Sequence, residues 1–239
     1  MAFVWWALAA VGGILLLLLL AALARTLRLP RKSTVYTLSD DTARVEEYAG
    51  KLSRMVQVET VSRRGVAEVE KFRAFHGLME ELFPRTFAAA EKIEIDGNLM
   101  LKWKGQSNKA PILLMSHMDV VEAGDETAWK YPPFSGMIAE DKVWGRGAAD
   151  TKASLMAFFQ ATEELLAEGY TPACDVYLAS SCTEEVGGDG APKLAAWLKE
   201  HGVRLFMLCD EGGSIVQDPV VGVKGILPLW AFLKRATAM

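Results

Sequence analysis

The sequence predicts an α/β fold with a mixed, mainly parallel sheet, on three observations. Short apolar runs at 111–115, 175–181 and 204–208 have the character of strands buried on both faces. Helical patterns at 153–168 and 191–200 alternate with them, the strand–helix–strand order of parallel α/β units. With 51% hydrophobic and 23% charged residues, the 239-residue chain can bury a sizeable core.

Residues 2–24 carry no charge and include Trp5, Trp6 and an unbroken leucine run at 15–20. A helix of that length spans roughly 34 Å, enough to cross a bilayer. The tryptophans at one end and Arg25, Arg28, Arg31 and Lys32 at the other suit interfacial anchoring. One expectation is a single-pass membrane anchor over 1–25. The other is a cleaved signal peptide, with Ala22-Leu23-Ala24 as its small-residue site. The length of the run, and the lack of Lys or Arg before it, favour the anchor. By itself, the basic cluster after the span would keep the main domain in the cytoplasm. Residues 26–39, with Pro30, Ser33 and Thr34, read as a linker, and the main domain is expected over 40–239.

Ser39-Asp40-Asp41 is expected to cap a helix whose apolar positions include Val45, Tyr48, Leu52 and Val56. A second helix is expected over 66–82, with Val69, Phe72, Phe75 and Leu78 on one face, stopping before Pro84. His76 lies in that amphipathic pattern and reads as a surface or hydrogen-bonded histidine rather than a ligand. The alternation of Ile93, Ile95, Leu99, Leu101 and Trp103 around Asp96-Gly97 predicts a hairpin over 92–104. The strand at 111–115, helix at 153–168, strand at 175–181, helix at 191–200 and strand at 204–208 follow. His201-Gly202 is the expected C-cap of the last helix.

Several functions are disfavoured at this level. A net charge of -4 without a basic face argues against nucleic-acid binding. Cys174, Cys182 and Cys209 are an odd number and form no CxxC pair, which excludes a complete disulfide framework and disfavours a cysteine zinc site. No GxSxG elbow is present to support a serine esterase.

The chemistry gathers where predicted strands and loops end. His117 and Asp119 follow the run at 111–115, and Asp150 follows a Gly145-Arg146-Gly147 turn. Glu184 and Glu185 follow the run at 175–181, while Asp210 follows the last strand. In open α/β sheets the carboxyl ends of the strands are where ligands bind. Carboxylates with a single imidazole suit Zn²⁺, Co²⁺ or Mn²⁺, and their excess charge would neutralise two divalent ions rather than one.

These motifs resemble the M20 family of metallopeptidases, nearest its carboxypeptidase S and N-acyl amino acid hydrolase branch. The likeness covers about residues 40–225. It rests on His117-x-Asp119, Gly145-Arg146-Gly147-x-x-Asp150, Glu184-Glu185-x-Gly187-Gly188 and Asp210-Glu211-Gly212-Gly213 in that order. The resemblance implies a three-layer α/β/α zinc-peptidase-like catalytic domain that hydrolyses amide or peptide bonds next to a free carboxylate. Short peptides or N-acyl amino acids would be its substrates, and a water activated by a dinuclear zinc centre would attack. His117 would ligate one metal, with Asp119 accepting its second ring N–H. Asp150 would bridge both ions, and its peptide bond to Thr151 would be cis. Glu185 and Asp210 would complete the coordination, and Glu184 would be the general base. The resemblance also implies an extracytoplasmic or luminal catalytic domain, opposite to the charge rule.

The pattern departs from the family in two places. A further histidine ligand is expected near the family's C-terminus, but only His76, His117 and His201 occur here. The smaller lid or dimerisation domain is also absent from the pattern, so the chain reads as C-terminally truncated. One metal is then expected to bind well and the second poorly, with slow or absent hydrolysis by this chain alone. The alternative function is a membrane-tethered domain that binds metal or a partner without catalysis.

Overall fold

The computed structural model describes residues 2–28, 41–66, 68–211, 214–217 and 226–229. Two compact units divide at Asp41–Thr42. The first holds α1 (Ala2–Leu27), whose stretch Val4–Leu27 has a mean hydropathy of 2.7 and is long and apolar enough to cross a membrane. The expected linker and the Ser39-Asp40 cap lie outside the described residues, apart from 26–28 at the end of α1 and its turn.

The second unit starts with α2 (Thr42–Gln57) and α3 (Val69–Leu82), the latter three residues shorter at its start than its pattern predicts. α3 ends before Pro84, as its pattern predicts, with Phe83 outside helical geometry. Pro84 opens a short helix, α4 (Pro84–Ala89), where its missing N–H costs nothing. The buried Glu163 carboxylate caps this helix from a distant element, accepting the Arg85 N–H at 3.1 Å, the Thr86 N–H at 2.8 Å and the Thr86 hydroxyl at 2.9 Å. The predicted hairpin forms as β1 (Ala90–Ile95) and β2 (Asn98–Trp103), with Asp96 at φ 49° and Gly97 at φ 86° making the turn. Next come β3 (Ile112–Met115) and a small hairpin of β4 (Met137–Ala139) and β5 (Lys142–Trp144), which the sequence reading lacked. Then follow α5 (Ala153–Ala167), β6 (Val176–Ser180), α6 (Gly190–Glu200) and β7 (Met207–Cys209). Finally β8 (Ser214–Gln217) pairs with β9 (Ile226–Leu229).

The five-stranded sheet has the order β1-β2-β6-β3-β7. β3 is parallel to both β6 and β7, whereas β2 is antiparallel to β1 and β6. The sheet is therefore mixed rather than mainly parallel, because the local β1–β2 hairpin joins it through β6. A second correction concerns the last strand. Pairing with β3 begins at Met207, so β7 lies three residues beyond the start of the 204–208 run.

Period-two alternation sorts the strand residues between two cores. Leu99, Leu101, Trp103, Val176 and Leu178 pack with Phe72 and Phe75 of α3 and with Leu155 and Phe159 of α5. Met100, Leu113, Met115, Tyr177 and Ala179 pack with Leu194 and Leu198 of α6 on the other face. This is the expected layering of helices on both sides of a sheet. A cavity of about 740 Å³ remains between α6 and the β3–β7 side, lined by Leu113, Leu194, Leu205 and Leu208.

Replacing Glu163 by Gln removes one of two acceptors serving four donors, the fourth being the Arg85 guanidinium at 3.4 Å. E163Q should cost about 1–3 kcal/mol of unfolding free energy, read by urea denaturation of the full chain in non-ionic detergent. An unchanged midpoint would show that the cap contributes nothing.

Candidate metal centre

The strand β3 delivers Ser116-His117-Met118-Asp119 into a buried crossover. The segment at 60–62 runs beside it, with Val120 N donating to Thr60 O at 3.1 Å and Ser62 N donating to Val120 O at 3.1 Å. The Thr60 hydroxyl closes on Met118 O at 2.6 Å. His117 is thereby fixed with 2% of its side chain exposed. Its Nδ1 donates to the Asp119 main-chain oxygen at 2.9 Å, while the nearer Asp119 carboxylate oxygen is 3.6 Å away. Both the main-chain oxygen and the carboxylate of Asp119 therefore face the ring's second N–H. The main-chain carbonyl has the shorter contact.

The Asp119 carboxylate, fully buried, has other partners. It accepts the Ser62 hydroxyl at 2.7 Å and the N–H groups of Glu184 and Glu185 at 3.1 Å each. These bonds fix the turn after β6 that carries both glutamates. Gly190 sits where a Cβ would lie 2.4 Å from Asn98 Oδ1, so only glycine lets this turn close onto β2.

Asp150 arrives on the loop between β5 and α5. Gly147 takes φ 82°, and a Cβ there would meet Val120 Cγ1 at 2.5 Å. The Asp150-Thr151 peptide is cis, as the resemblance implies. The Ser116 hydroxyl donates to Thr151 O at 3.1 Å, and the Asp150 side chain is left 77% exposed.

The His117 Nε2 faces Asp150 Oδ1 at 3.1 Å, Glu211 Oε2 at 3.2 Å and Glu184 Oε2 at 3.8 Å. Among the described residues, His117, Asp150 and Glu211 form the one group whose ligand atoms all lie within 4.8 Å of one another. Glu211 was not foreseen. Asp210, expected in its place, accepts the Glu211 N–H at 2.9 Å and lines the apolar cavity together with Leu208. Successive residues at a strand end point to opposite sides. The adjacency of two acids after the 204–208 run was the available signal, but only the folded chain shows which of them lies beside His117.

The electrostatics suit a cation. Burial raises Glu185, and the Asp150 charge adds to it; burial likewise raises Glu211, with Asp150, Glu184 and Asp210 adding and His117 opposing. Burial opposes charge on His117, but the Asp119 carboxylate and the Glu211 charge prevail and hold its ring up at about 10. Carboxylates with too little positive charge, grouped round one imidazole, are a donor set that fits Zn²⁺ or a similar divalent ion. Glu185 is electrostatically coupled to this group without entering its tight set.

The remaining candidates stay apart. His76 is buried with Nδ1 at 2.7 Å from Glu94 Oε1, and His201 donates to Trp197 O at 2.8 Å from the end of α6. All three cysteines are free, and burial pushes Cys182 up to about 12. Burial also pushes Lys152 down to about 7, against the Asp119 charge. In either protonation state it has the two N–H groups that the carbonyls of Met55 and Val58 receive.

Fold and site together define a class, an α/β domain with a carboxylate–imidazole metal-type centre at the carboxyl ends of its strands. Residues 113–225 match the model of "Peptidase family M20/M25/M40". The N-fatty-acyl-amino acid synthase/hydrolase PM20D1.1 of Danio rerio is 33% identical over 197 residues, covering 80% of this chain and 38% of the relative. The probable carboxypeptidase S-like 2 of Dictyostelium discoideum is 34% identical, covering 87% of this chain and 42% of the relative. An M20 family metallo-carboxypeptidase from Sulfolobus solfataricus superposes with a TM-score of 0.58 at 22% identity, over 71% of this chain and 38% of that one. Human carnosine dipeptidase 1 gives 0.60 at 18% identity, over 73% and 40%. The chain belongs to peptidase family M20 through its residues 113–225. It spans about two-fifths of the length of these relatives.

A metal ion held by His117 would displace the proton on its ring. At pH 7.5 about one proton should be released per zinc ion, measured by calorimetry in buffers of different ionisation heat. Release of no protons would show that the ring is already neutral. Because the folded value lies above 6.5, the imidazolium's contribution to the metal-free fold is complete below pH 6.5 and lost as pH rises through about 10.

Proposed function

We propose that this chain forms the metal-holding part of a hydrolase that cleaves an amide or peptide bond next to a free carboxylate, in short peptides or N-acyl amino acids. One observation carries the reading. An exposed carboxylate, Glu184, lies 3.8 Å from the Nε2 of a buried histidine that is grouped with two further carboxylates. The names of the relatives, carboxypeptidase and N-fatty-acyl-amino acid hydrolase, support the substrate class.

In this reading His117, Asp150 and Glu211 hold one ion, and Glu185 with Asp150 forms a weaker second position. Zinc, when bound, supplies a Lewis acid that draws electron density from the scissile carbonyl. Glu184, 49% exposed, takes a proton from the attacking water and returns it to the leaving nitrogen. Asp119 acts through the turn, keeping the Glu184 main chain in position while that side chain stays free to move a proton. We read α1 as the anchor that holds this domain at a membrane, on its length and apolar composition.

E184Q should lower hydrolysis of an N-acyl amino acid or a carboxyl-terminal peptide bond by roughly a hundredfold to ten-thousandfold while leaving zinc content unchanged. Equal hydrolysis by wild type and E184Q would remove the glutamate from the chemistry. A wild type with no hydrolysis but intact zinc binding would favour the metal-binding, non-catalytic alternative. Metal analysis of the dialysed full chain should find one retained ion, and two tightly held ions would contradict the weak second position.

A further inference from the structure

Lys152 has no role in the proposed chemistry, yet it is fully buried two residues after Asp150. Burying a lysine is costly unless its donors are satisfied. Here Nζ donates to Met55 O at 3.0 Å and to Val58 O at 2.8 Å, and lies 5.0 Å from the centre of the Phe75 ring. Met55 is in the last turn of α2 and Val58 follows its end, where a helix leaves carbonyls without partners. Lys152 therefore closes the end of α2 from inside the domain.

The same residue closes the loop that carries Asp150. Its main-chain N–H donates to Gly147 O at 3.0 Å, and its stem carbons lie 3.6 Å from where a Cβ on Gly147 would be. Asp150 itself is exposed, and among the described residues its side chain hydrogen-bonds to His117. The main chain around it is held instead by Ser116, through Thr151, and by the Lys152 N–H bonded back to Gly147 O.

We propose that Lys152 is a positioning residue for the metal centre, fixing the Asp150 carboxylate opposite His117 by tying the 147–152 loop to the end of α2. The proposal rests on reading Asp150 as a ligand, and the experiment separates the two. Zinc affinity of the full chain in detergent is measured against a competing chelator for wild type, K152M, D150N, the double variant and E163Q. Groups that orient metal ligands typically contribute 10–100-fold in affinity. K152M should weaken zinc binding by about that factor, should add nothing further in the D150N background, and should be unlike E163Q, which loses stability but keeps its affinity. K152Q takes its place should K152M not fold. Wild-type affinity in K152M alongside a weakened D150N overturns the positioning role. An unchanged D150N overturns the ligand reading beneath it. Equal losses in K152M with and without D150N, or failure of both Lys152 variants to fold, would mean that Lys152 serves the whole domain rather than Asp150, and would also overturn the proposal.

Discussion

The site depends on one buried carboxylate. Asp119 is completely enclosed, and an isolated charge there would be prohibitively costly. It is tolerated because the Ser62 hydroxyl and the N–H groups of Glu184 and Glu185 all donate to it. Those bonds join three stretches of chain that are far apart in sequence: the connection after α2, the crossover after β3 and the turn after β6. His117 is aimed by the main-chain carbonyl of the same residue. A single residue thus aligns the histidine with the adjacent glutamates, and its charge requirement keeps the three segments together.

Around that centre the polar groups follow a division of labour. Burial raises Glu185 and Glu211, with neighbouring carboxylates adding to it, while His117 is held up against burial by Asp119 and Glu211. Asp150 and Glu184 project toward solvent instead. Under the proposed function, this arrangement would leave a place for a cation on the inner side and access for a substrate on the outer side. It accords with membership of a family of hydrolases, several of whose named members act on peptides or N-acyl amino acids.

Much of this was legible in the sequence. The central strands β3 and β6 stand out as unbroken apolar runs because both their faces are buried, and the hairpin turn is marked by Asp96-Gly97. His117, Asp119, Asp150, Glu184 and Glu185 could be picked out because each ends or follows such an element. What escaped was short or dependent on remote contacts. α4 exists where Glu163, from α5, caps it, and the β4–β5 hairpin sits where the Ser53 hydroxyl donates to Gly136 O at 2.6 Å. Neither partner is near in sequence to the element it supports.

The chain's own residues determined the class of fold, the order of its elements and the chemical type of its centre. These follow from local periodicity and from which side chains end each strand. Tertiary structure decided the rest. β7 pairs with β3 only from Met207, and just past its end Glu211 lies beside His117 while Asp210 lines the apolar cavity. The His117 ring found a main-chain oxygen before the Asp119 carboxylate, and Lys152 found the end of α2. The reason is the same in each case. A strand's parity and a buried donor's partner are set by which distant segment packs against it, and no local pattern records that choice.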